Sequence, residues 1–308
     1  MALNNSAYIT AEKVMKVMFN EAIANYSNAN AWDFLNSLAF EAPSNGAEED
    51  YRWLQELPEF QEWLGDLTSS DLADYVFTIR NKEFAASVPI RKTDLDDDKM
   101  DTVKPRIQAM AGGESRKWGK LIDTLIQAGT TALAFDGIAF FSAATGVRLN
   151  NNLLTGTISA ANPTLAQVAA DIRTVRASML KFVDSRGEIV GIVPDTFVVP
   201  PNLEFLFLQF QNSMTDPTGA NPNTINPYRG FIKNLIVDPG LTDLNDFYAF
   251  ATTYGAGAIV KQRRSPLELF LDDTQVLVNR KLIFGGSFRG NVGFGLPILA
   301  AKVVSGVA

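Results

Sequence analysis

The sequence predicts an α+β fold, because helical and strand patterns stand in separate blocks without the regular βαβ alternation of a doubly wound sheet. Residues 162–183 place apolar side chains at helical spacing, which predicts an amphipathic helix. Residues 75–90 alternate apolar and polar side chains, which predicts strands. Residues 276–304 combine β-branched and aromatic residues with glycines, and they predict a long, glycine-interrupted β ribbon.

Two long helices are expected. In the helix over 162–183, Thr164 and Gln167 have the spacing of a capping box. A second helix is predicted over 102–128, with Pro105 tolerated in its first turn and Gly112-Gly113 as the point where it can bend. The apolar stripe of the first helix is formed by Leu165, Val168, Ile172, Val175, Met179 and Phe182.

Composition narrows the classes of function. The 308 residues suffice for one large domain or two small ones, and 46% hydrophobic with 20% charged residues is typical of a globular protein. No apolar run reaches the roughly 18 residues that span a bilayer, and the first residues lack the pattern of a secretory signal, so no membrane partner is expected. The chain has no cysteine and no histidine, which excludes disulfides, thiolate nucleophiles and imidazole-based catalysis.

Charge is negative overall and unevenly distributed. A formal net charge of −7 disfavours tight binding to a phosphate backbone. Residues 41–74 hold ten acidic residues against one arginine, whereas residues 76–92 hold four basic residues against Glu83. These opposed blocks are either solvated faces or complementary surfaces that pair between neighbouring copies.

The N-terminal part of the sequence predicts segments that lack a partner within the chain. Residues 1–40 are amphipathic without a strong core face, which suggests an arm that packs elsewhere. Trp53, Phe60 and Trp63 lie in an aromatic-rich stretch that either packs in its own core or stacks on a neighbouring surface. A hairpin is predicted over 75–90, with its turn at Asn81-Lys82 and a charged tip that projects from the body.

The aspartates at 94, 96 and 98 match the start of a calcium-binding loop, but the remainder of the motif is absent. Lys99 stands where the loop needs glycine, and Pro105 stands where it needs the bidentate glutamate. Acidic residues also gather at the start of helices, where the helix dipole favours them. We therefore expect this run to begin the long helix, and no metal or cofactor is predicted.

Residues 187–206, GEIVGIVPDTFVVPPNLEFL, predict a strand, a tight turn at Pro194-Asp195, a second strand and a helix that begins at Pro200-Pro201. A carboxylate at such a turn raises the question of catalysis. A hydrolase without histidine would need two carboxylates as acid and base, drawn from Asp136, Glu188 and Asp195. Nothing in their spacing requires this, and Asp136-Gly137 predicts a turn first.

Four stretches together resemble the Mu-like phage major head protein family, which has the Hong Kong 97-type capsid fold. They cover most of the chain from about residue 45 and keep a family-like order, although the chain continues SAATGVRL after DGIAFF, where members often have His-Pro. Their specificity lies in the combination. The stretches are YRWLQELPEFQEWLGD, YVFTIRNKEF, LIDTLIQAGTTALAFDGIAFF and GEIVGIVPDTFVVPPNLE.

The resemblance implies a division of the chain into five parts. The predicted hairpin, at about 68–92, would be the extended loop that lies over a neighbouring subunit. Deletion of residues 75–90 should then leave a folded core that forms no shells. The implied parts are an N-terminal arm (1–50), the extended-loop hairpin with its flanks (51–101), the spine helix of the peripheral domain (102–129), an axial domain (130–262) and a peripheral-domain β ribbon (263–308).

The resemblance also implies the function of a major capsid protein rather than an enzyme. Hexamers and pentamers of the chain would build an icosahedral virion shell, assembled in the host bacterial cytoplasm, that encloses double-stranded DNA. Portal, scaffold and decoration proteins would be its partners. The alternatives are an encapsulin-like compartment of the same fold and the carboxylate-based hydrolase. The residues proposed at subunit interfaces are Trp53, Trp63, Arg80, Lys82, Glu83, Arg91 and Lys92.

Overall fold

The computed structural model confirms an α+β protein with mixed sheets and separate helices. Within the described part of the chain no helix is long and apolar enough to cross a membrane. The residues that the structure describes are 5–26, 30–52, 76–96, 100–143, 148–184, 187–215, 225–275 and 279–305.

The described helices include two that the sequence patterns anticipated. The helix over the 162–183 region has the capping box, because the Thr164 side chain accepts from the Gln167 N–H and Gln167 accepts from the Thr164 N–H. Three short 3-10 turns cover Leu35–Leu38, Pro201–Leu203 and Pro297–Leu299. The α-helices are α1 (Asn5–Ala24), α2 (Ala31–Phe34), α3 (Lys92–Asp96), α4 (Met100–Ala111), α5 (Gly113–Ala128), α6 (Leu165–Leu180) and α7 (Glu204–Asn212).

The described strands form two sheets and one ribbon. A four-stranded sheet has the order β1-β9-β10-β4, a five-stranded sheet has the order β5-β11-β8-β6-β7, and β2 pairs only with β3. The strands are β1 (Ala39–Pro43), β2 (Glu48–Arg52), β3 (Val76–Arg80), β4 (Lys82–Arg91), β5 (Leu153–Thr155), β6 (Thr196–Val199), β7 (Asn234–Val237), β8 (Phe247–Phe250), β9 (Ile259–Asp272), β10 (Lys281–Phe294) and β11 (Ala300–Val304).

The predicted long helix is interrupted at Gly112, as its two glycines suggested. Gly112 lies between α4 and α5, and a Cβ there would stand 2.2 Å from the Tyr26 ring, so the close approach requires glycine. The helix starts earlier than expected, at Met100, which places Pro105 inside α4 rather than in its first turn. The following helix joins the two halves of the molecule, because Trp118, Ile122 and other α5 side chains pack in the large core that contains the five-stranded sheet.

Helix α1 packs on its own chain, which corrects the prediction of an arm whose partner lies elsewhere. Met15 and Phe19 are fully buried in a second core formed with α4 and the four-stranded sheet. The Phe19 ring meets the Phe284 ring edge-on, at 6.2 Å between centroids. The amphipathic pattern of residues 1–40 thus has an intrachain partner that is distant in sequence and invisible to a local pattern.

The predicted 75–90 hairpin is wrong in its pairing, although both strands exist. β3 pairs antiparallel with β2, and β4 pairs antiparallel with β10, so β3 and β4 are not partners. Asn81 makes no hairpin turn here, because its side chain donates to Ser44 Oγ at 2.8 Å and to the Gly46 carbonyl at 3.0 Å. Alternation identified the strands, but it holds no information about which strand each one joins.

Residues 187–206 contain one strand instead of two. Residues 187–195 show only an isolated bridge between Val183 and Ile189, and the strand is β6. The Pro194-Asp195 turn is also wrong, because the Asp195 N–H donates to the Phe250 carbonyl at 2.9 Å and extends the pairing of β6 with β8. The chain becomes helical at Pro201, as a 3-10 turn that leads into α7.

The predicted terminal ribbon is divided between the two sheets. β10 forms a long antiparallel pair with β9, whereas β11 crosses to the five-stranded sheet and lies between β5 and β8. Glycines in β10 permit close packing, since a Cβ on Gly290 would stand 2.6 Å from the Trp118 ring. The chain end therefore links both halves of the molecule.

Candidate assembly interface

The β2–β3 ribbon is a separate pair of strands that joins neither of the two sheets. Its register runs from Glu48 opposite Arg80 to Arg52 opposite Val76, so the strand ends that receive residues 53–75 are adjacent. Trp53 and Trp63, two of the predicted interface residues, lie in that connection, outside the described residues. Because an isolated two-stranded ribbon is marginally stable in water, its position depends on how it is attached.

A polar network attaches the root of the ribbon to β9. Gln262 is fully buried, and its side-chain amide donates to the Asn81 Oδ1 atom at 2.8 Å and to the Ile79 carbonyl at 3.1 Å. From β10, the Asn291 side chain donates to the Arg80 carbonyl at 2.9 Å. A small apolar cluster, Ala42, Ile79 and Val260, lies beside this network. These directional hydrogen bonds set the direction in which the ribbon leaves the body.

A turn before the ribbon is closed by Glu49. Its carboxylate accepts the N–H groups of Asn45 and Gly46, at 2.5 and 2.8 Å, and the Ser44 hydroxyl at 3.1 Å. These hydrogen bonds, first those from the backbone, lower the pKa of Glu49 from its ordinary value. Glu49 is therefore a structural residue within the acidic block, and the block is not only a solvated face.

The charged residues proposed for subunit contact fall into two separate groups. Arg80 is exposed and pairs with Glu48 on β2 at 3.5 Å, and Lys82 and Glu83 follow it, exposed, at the start of β4. Arg91 and Lys92 lie at the other end of this ten-residue strand, about 30 Å away at 3.3 Å per residue. The basic block of the sequence is thus divided between the two ends of one strand, and it is not a single patch.

An apolar groove runs beside the break between α4 and α5. The groove has a volume of about 490 Å³. Lys117 lies at its wall, with its ammonium 4.8 Å from the centre of the Phe84 ring. Among its lining residues are Phe19, Glu83, Phe84, Met110, Leu267 and Phe288. Glu83, chosen from charge alone, is thereby placed at the edge of an apolar surface.

Sequence reasoning missed a set of exposed apolar side chains in the other half of the molecule. Phe205 on α7 is 79% exposed, and Met214 and Ile225, which flank the undescribed residues 216–224, are 74% and 81% exposed. Met214 and Ile225 are neighbours through the bridge between Thr215 and Ile225, and exposed apolar side chains that lie together mark interaction surfaces. Phe205 was detectable in principle, because it falls off the helical stripe formed by Leu203, Phe207 and Phe210.

The carboxylates of the hydrolase alternative have structural partners. Asp136 forms a two-pronged ion pair with Arg148, whose Nε and Nη2 atoms donate at 2.8 Å. Asp195 is buried, and its Oδ1 atom accepts from the Thr196 hydroxyl and from the N–H and hydroxyl of Thr252, at 2.9 to 3.0 Å. Glu188 is exposed, and its carbonyl accepts from the Asp184 N–H while its own N–H donates to Asp184 Oδ1, both at 2.9 Å. Asp195 is an architectural residue.

The aspartate run before the long helix offers no metal site in the described structure. Asp94 is half-buried in α3, whereas the side chains of Asp96 and Asp98 lie outside the description. Within the described ranges no group of three or more histidine, cysteine, aspartate or glutamate residues is arranged to hold a metal ion.

The two sheets, the interrupted long helix and the separate β2–β3 ribbon define a phage capsid fold of the Hong Kong 97 type. The procapsid of bacteriophage JBD30 contains a chain of this fold with a TM-score of 0.57 and 21% identity, in a match that covers 97% of this chain and 75% of that one. Residues 10–164 match the family model described as Mu-like prophage major head subunit gpT, and the chain belongs to this family. The resemblance inferred from the four stretches is confirmed, and the family is one of structural subunits rather than enzymes.

Two curated relatives match part of the chain. The Mu-like prophage FluMu major head subunit of Haemophilus influenzae is 32% identical over 98 residues, which are 32% of this chain and 32% of the relative. The major capsid protein of Escherichia phage Mu is 31% identical over 106 residues, which are 34% of this chain and 35% of the relative. The chain thus matches about a third of the length of each curated relative.

Proposed function

We propose that this chain is the major capsid protein of a Mu-like phage, a structural subunit that assembles with copies of itself into hexamers and pentamers of an icosahedral shell. The observation that carries the proposal is the match of residues 10–164 to a family of head subunits, within a chain whose fold is that of phage capsids along 97% of its length. The shell is a component of the virion and encloses double-stranded DNA.

The net negative charge of the chain supports the proposal that its shell encloses DNA without binding it tightly. With a formal net charge of −7, a shell of these subunits repels the phosphate backbone instead of gripping it, which suits a genome that must be pumped in and released. We further propose that the shell assembles in the host bacterial cytoplasm, with a portal, a scaffold and decoration proteins as partners. An encapsulin-like compartment and a hydrolase are not favoured by the family match.

The division of the chain follows the same proposal. Residues 102–129 supply the spine helix, and residues 130–262, together with β11, supply an axial domain around the five-stranded sheet. The four-stranded sheet belongs to the peripheral domain. The ribbon and residues 53–75 reach a neighbouring subunit, which brings Trp53, Trp63 and Arg80 to a heterologous contact that closes into rings.

Electron microscopy of the expressed full chain tests the proposal directly. We expect closed particles, rings or sheets in negative stain, and a mass far above that of one subunit in light scattering. A monodisperse monomer at high concentration would contradict the shell and reopen the enzyme alternative. Particles filled with protein cargo instead of nucleic acid, when purified from infected cells, would favour the compartment.

A variant separates folding from assembly. Deletion of residues 75–90 is unsuitable, because it removes β4 and the buried Val88. Replacement of residues 53–75 by Asn-Gly is suitable, since Arg52 and Val76 are paired and a two-residue turn closes such a hairpin. We expect an unfolding midpoint close to that of the unchanged chain, with no shells in negative stain.

The matched control replaces residues 53–75 by a Gly/Ser linker of equal length. This linker preserves the reach of the ribbon but removes Trp53 and Trp63, so it should also fold and fail to form stable shells. Shells of normal size from the Asn-Gly variant would contradict the role assigned to these residues.

A further inference from the structure

Two carboxylates meet in a buried joint between the two halves of the molecule. Asp123 lies on α5 and is 8% exposed, whereas Asp238 follows β7 directly and is fully buried. Both side chains lie against Gly240, since its N–H donates to Asp238 and its Cα faces the Asp123 carboxylate, so the two carboxylates are neighbours. The joint is tightly closed, because a Cβ on Gly240 would stand 2.7 Å from an Asp123 carboxylate oxygen.

Hydrogen bonds fix both carboxylates but leave one fully buried oxygen without a donor. The Gly240 N–H donates to Asp238 Oδ1 at 2.9 Å. Gln127, one turn after Asp123, donates to Asp123 Oδ1 and to the Gly240 carbonyl at 2.5 and 2.9 Å. The Asp238 Oδ2 atom is buried and has no hydrogen-bond partner among the described residues. A buried carboxylate oxygen in this state is costly unless a proton joins it to the neighbouring carboxylate.

No salt bridge from the described part of the chain neutralises the pair. Among the described residues, neither Asp123 nor Asp238 forms a salt bridge. Lys302 on β11 is committed to Asp246 at 3.0 Å, and on α5 the Lys120 ammonium lies 5.6 Å from the Trp32 ring centre.

One further acidic group, Asp243, adds to the negative potential of this region, since Asp246 is paired with Lys302. Asp243 and Asp246 lie before β8. Their charges raise the pKa of the Tyr248 phenol, as do the charges of Asp123 and Asp238. Burial and then these four carboxylates raise the pKa of the Tyr248 phenol, so the phenol stays neutral at physiological pH. The surroundings of the pair therefore disfavour a second negative charge in the joint.

We propose that Asp123 and Asp238 bind one proton between them, and that this shared proton latches α5 to the five-stranded sheet. With the proton present, one carboxylic acid donates to the other carboxylate across the joint. Loss of the proton leaves two ionised groups in contact in a buried site, and their repulsion loosens the attachment of α5 to the segment after β7. The inference concerns the subunit itself and does not depend on the proposed shell.

The pH range of the latch follows from its environment. Burial, and then the Asp123 charge, raise the pKa of Asp238 from an ordinary 3.8 to about 7, against the lowering effect of the Gly240 N–H. The proton belongs to the pair rather than to either residue. Between about pH 4 and pH 7 the folded chain holds a proton that the unfolded chain releases, so the latch contribution to stability falls as pH rises through this range.

Infrared spectroscopy of the full chain detects the proton directly. At pH 5 to 6 we expect the carbonyl band of a buried carboxylic acid, which disappears with a midpoint near pH 7. In Asp238→Asn the band should be absent, because the amide replaces the protonated acid. In Asp123→Asn the new amide donates to Asp238 and favours its ionised form, so the band should shift to lower pH. A missing band in the unchanged chain, or an unaltered band in Asp238→Asn, overturns the proposal.

Thermal unfolding tests the stability linkage with a matched control. The unfolding midpoint should fall between pH 5 and pH 8 more steeply for the unchanged chain than for Asp238→Asn, so that the variant gains several degrees relative to the unchanged chain at pH 8. Asp195→Asn is the control, because Asp195 is equally buried but accepts hydrogen bonds from Thr196 and Thr252 and has no carboxylate partner in the described structure. The unfolding midpoint of Asp195→Asn should be lower than that of the unchanged chain at every pH, with the same dependence on pH. Parallel curves for Asp238→Asn and the unchanged chain would refute the latch.

Discussion

Helix α1 and the β2–β3 ribbon start from the same expectation and end in opposite situations. Both lie in the first 80 residues. Residues 1–40 were predicted to form an arm whose partner lies elsewhere, and residues 75–90, which contain β3, were predicted to form a hairpin that projects from the body. α1 buries Met15 and Phe19 completely, whereas the described ribbon is open on most of its surface, with Val76, Thr78 and Arg80 exposed. An amphipathic pattern shows that a segment needs a partner, but it does not show whether that partner is in the same chain.

The two attachments also differ in kind. α1 is held by apolar burial, which is strong and non-directional. The ribbon is held at its root by the hydrogen bonds of Gln262 and Asn291, which contribute less free energy but define a direction. The first attachment should therefore govern the stability of the subunit, and the second should govern where the ribbon points.

Phe19→Ala gives the largest expected effect on subunit stability. It removes a fully buried ring that packs against Phe284 and leaves a cavity, so the free energy of unfolding should fall by about 3–5 kcal/mol. Urea unfolding of the unassembled full chain measures this. Val17→Ala is the matched control on the same helix, because Val17 is 54% exposed, and it should change the free energy by no more than about 0.5 kcal/mol. Equal effects of the two substitutions would mean that α1 is not docked in solution.

Gln262→Met should have an intermediate effect on stability and a specific effect on the ribbon. The thioether cannot donate to Asn81 and to the Ile79 carbonyl, so the free energy of unfolding should fall by about 1–3 kcal/mol. Hydrogen exchange should accelerate in β2 and β3 while α1 stays protected. Gln108→Met, at an exposed position of α4, is the control and should alter neither quantity. Unchanged exchange in the ribbon would show that the root is held by other contacts.

The sequence predicted the features that local rules control. The capping box of Thr164 and Gln167 and the break at Gly112 depend on residues within one or two turns of helix, and both are present. The partners of β3 and β4 could not be predicted, because β4 pairs with a strand about 200 residues away and alternation is the same for any partner.

The polar contacts of Asn81 and of the Asp123–Asp238 pair could not be predicted either, because their partners are distant in the sequence. Asn81 is a common turn residue, so its sequence context favoured a turn, whereas its side chain serves Ser44 and Gln262, the latter 181 residues away. The pair of Asp123 and Asp238 is likewise separated by more than 100 residues and shows no motif. Arg80 and Lys82 are exposed, and their contact with a neighbouring subunit stays a prediction, whereas a choice based on charge could not include the exposed apolar side chain of Phe205.

Arg80→Ala should have the smallest effect on the free energy of unfolding of the isolated subunit. It distinguishes the contribution of Arg80 to subunit stability from its proposed contribution to assembly. Arg80 is 81% exposed and its pair with Glu48 spans 3.5 Å, so the substitution should cost between about 0.2 and 1 kcal/mol, with the cost vanishing at high salt. If Arg80 contacts a neighbouring subunit, as proposed, particle yield should nevertheless fall steeply in the same variant. Thr78→Ala, at a neighbouring exposed position of β3, should leave the yield unchanged. Normal particle yield from Arg80→Ala would confine this residue to the ion pair with Glu48 and place the assembly contact of the ribbon elsewhere, with Trp53 and Trp63 as the remaining candidates.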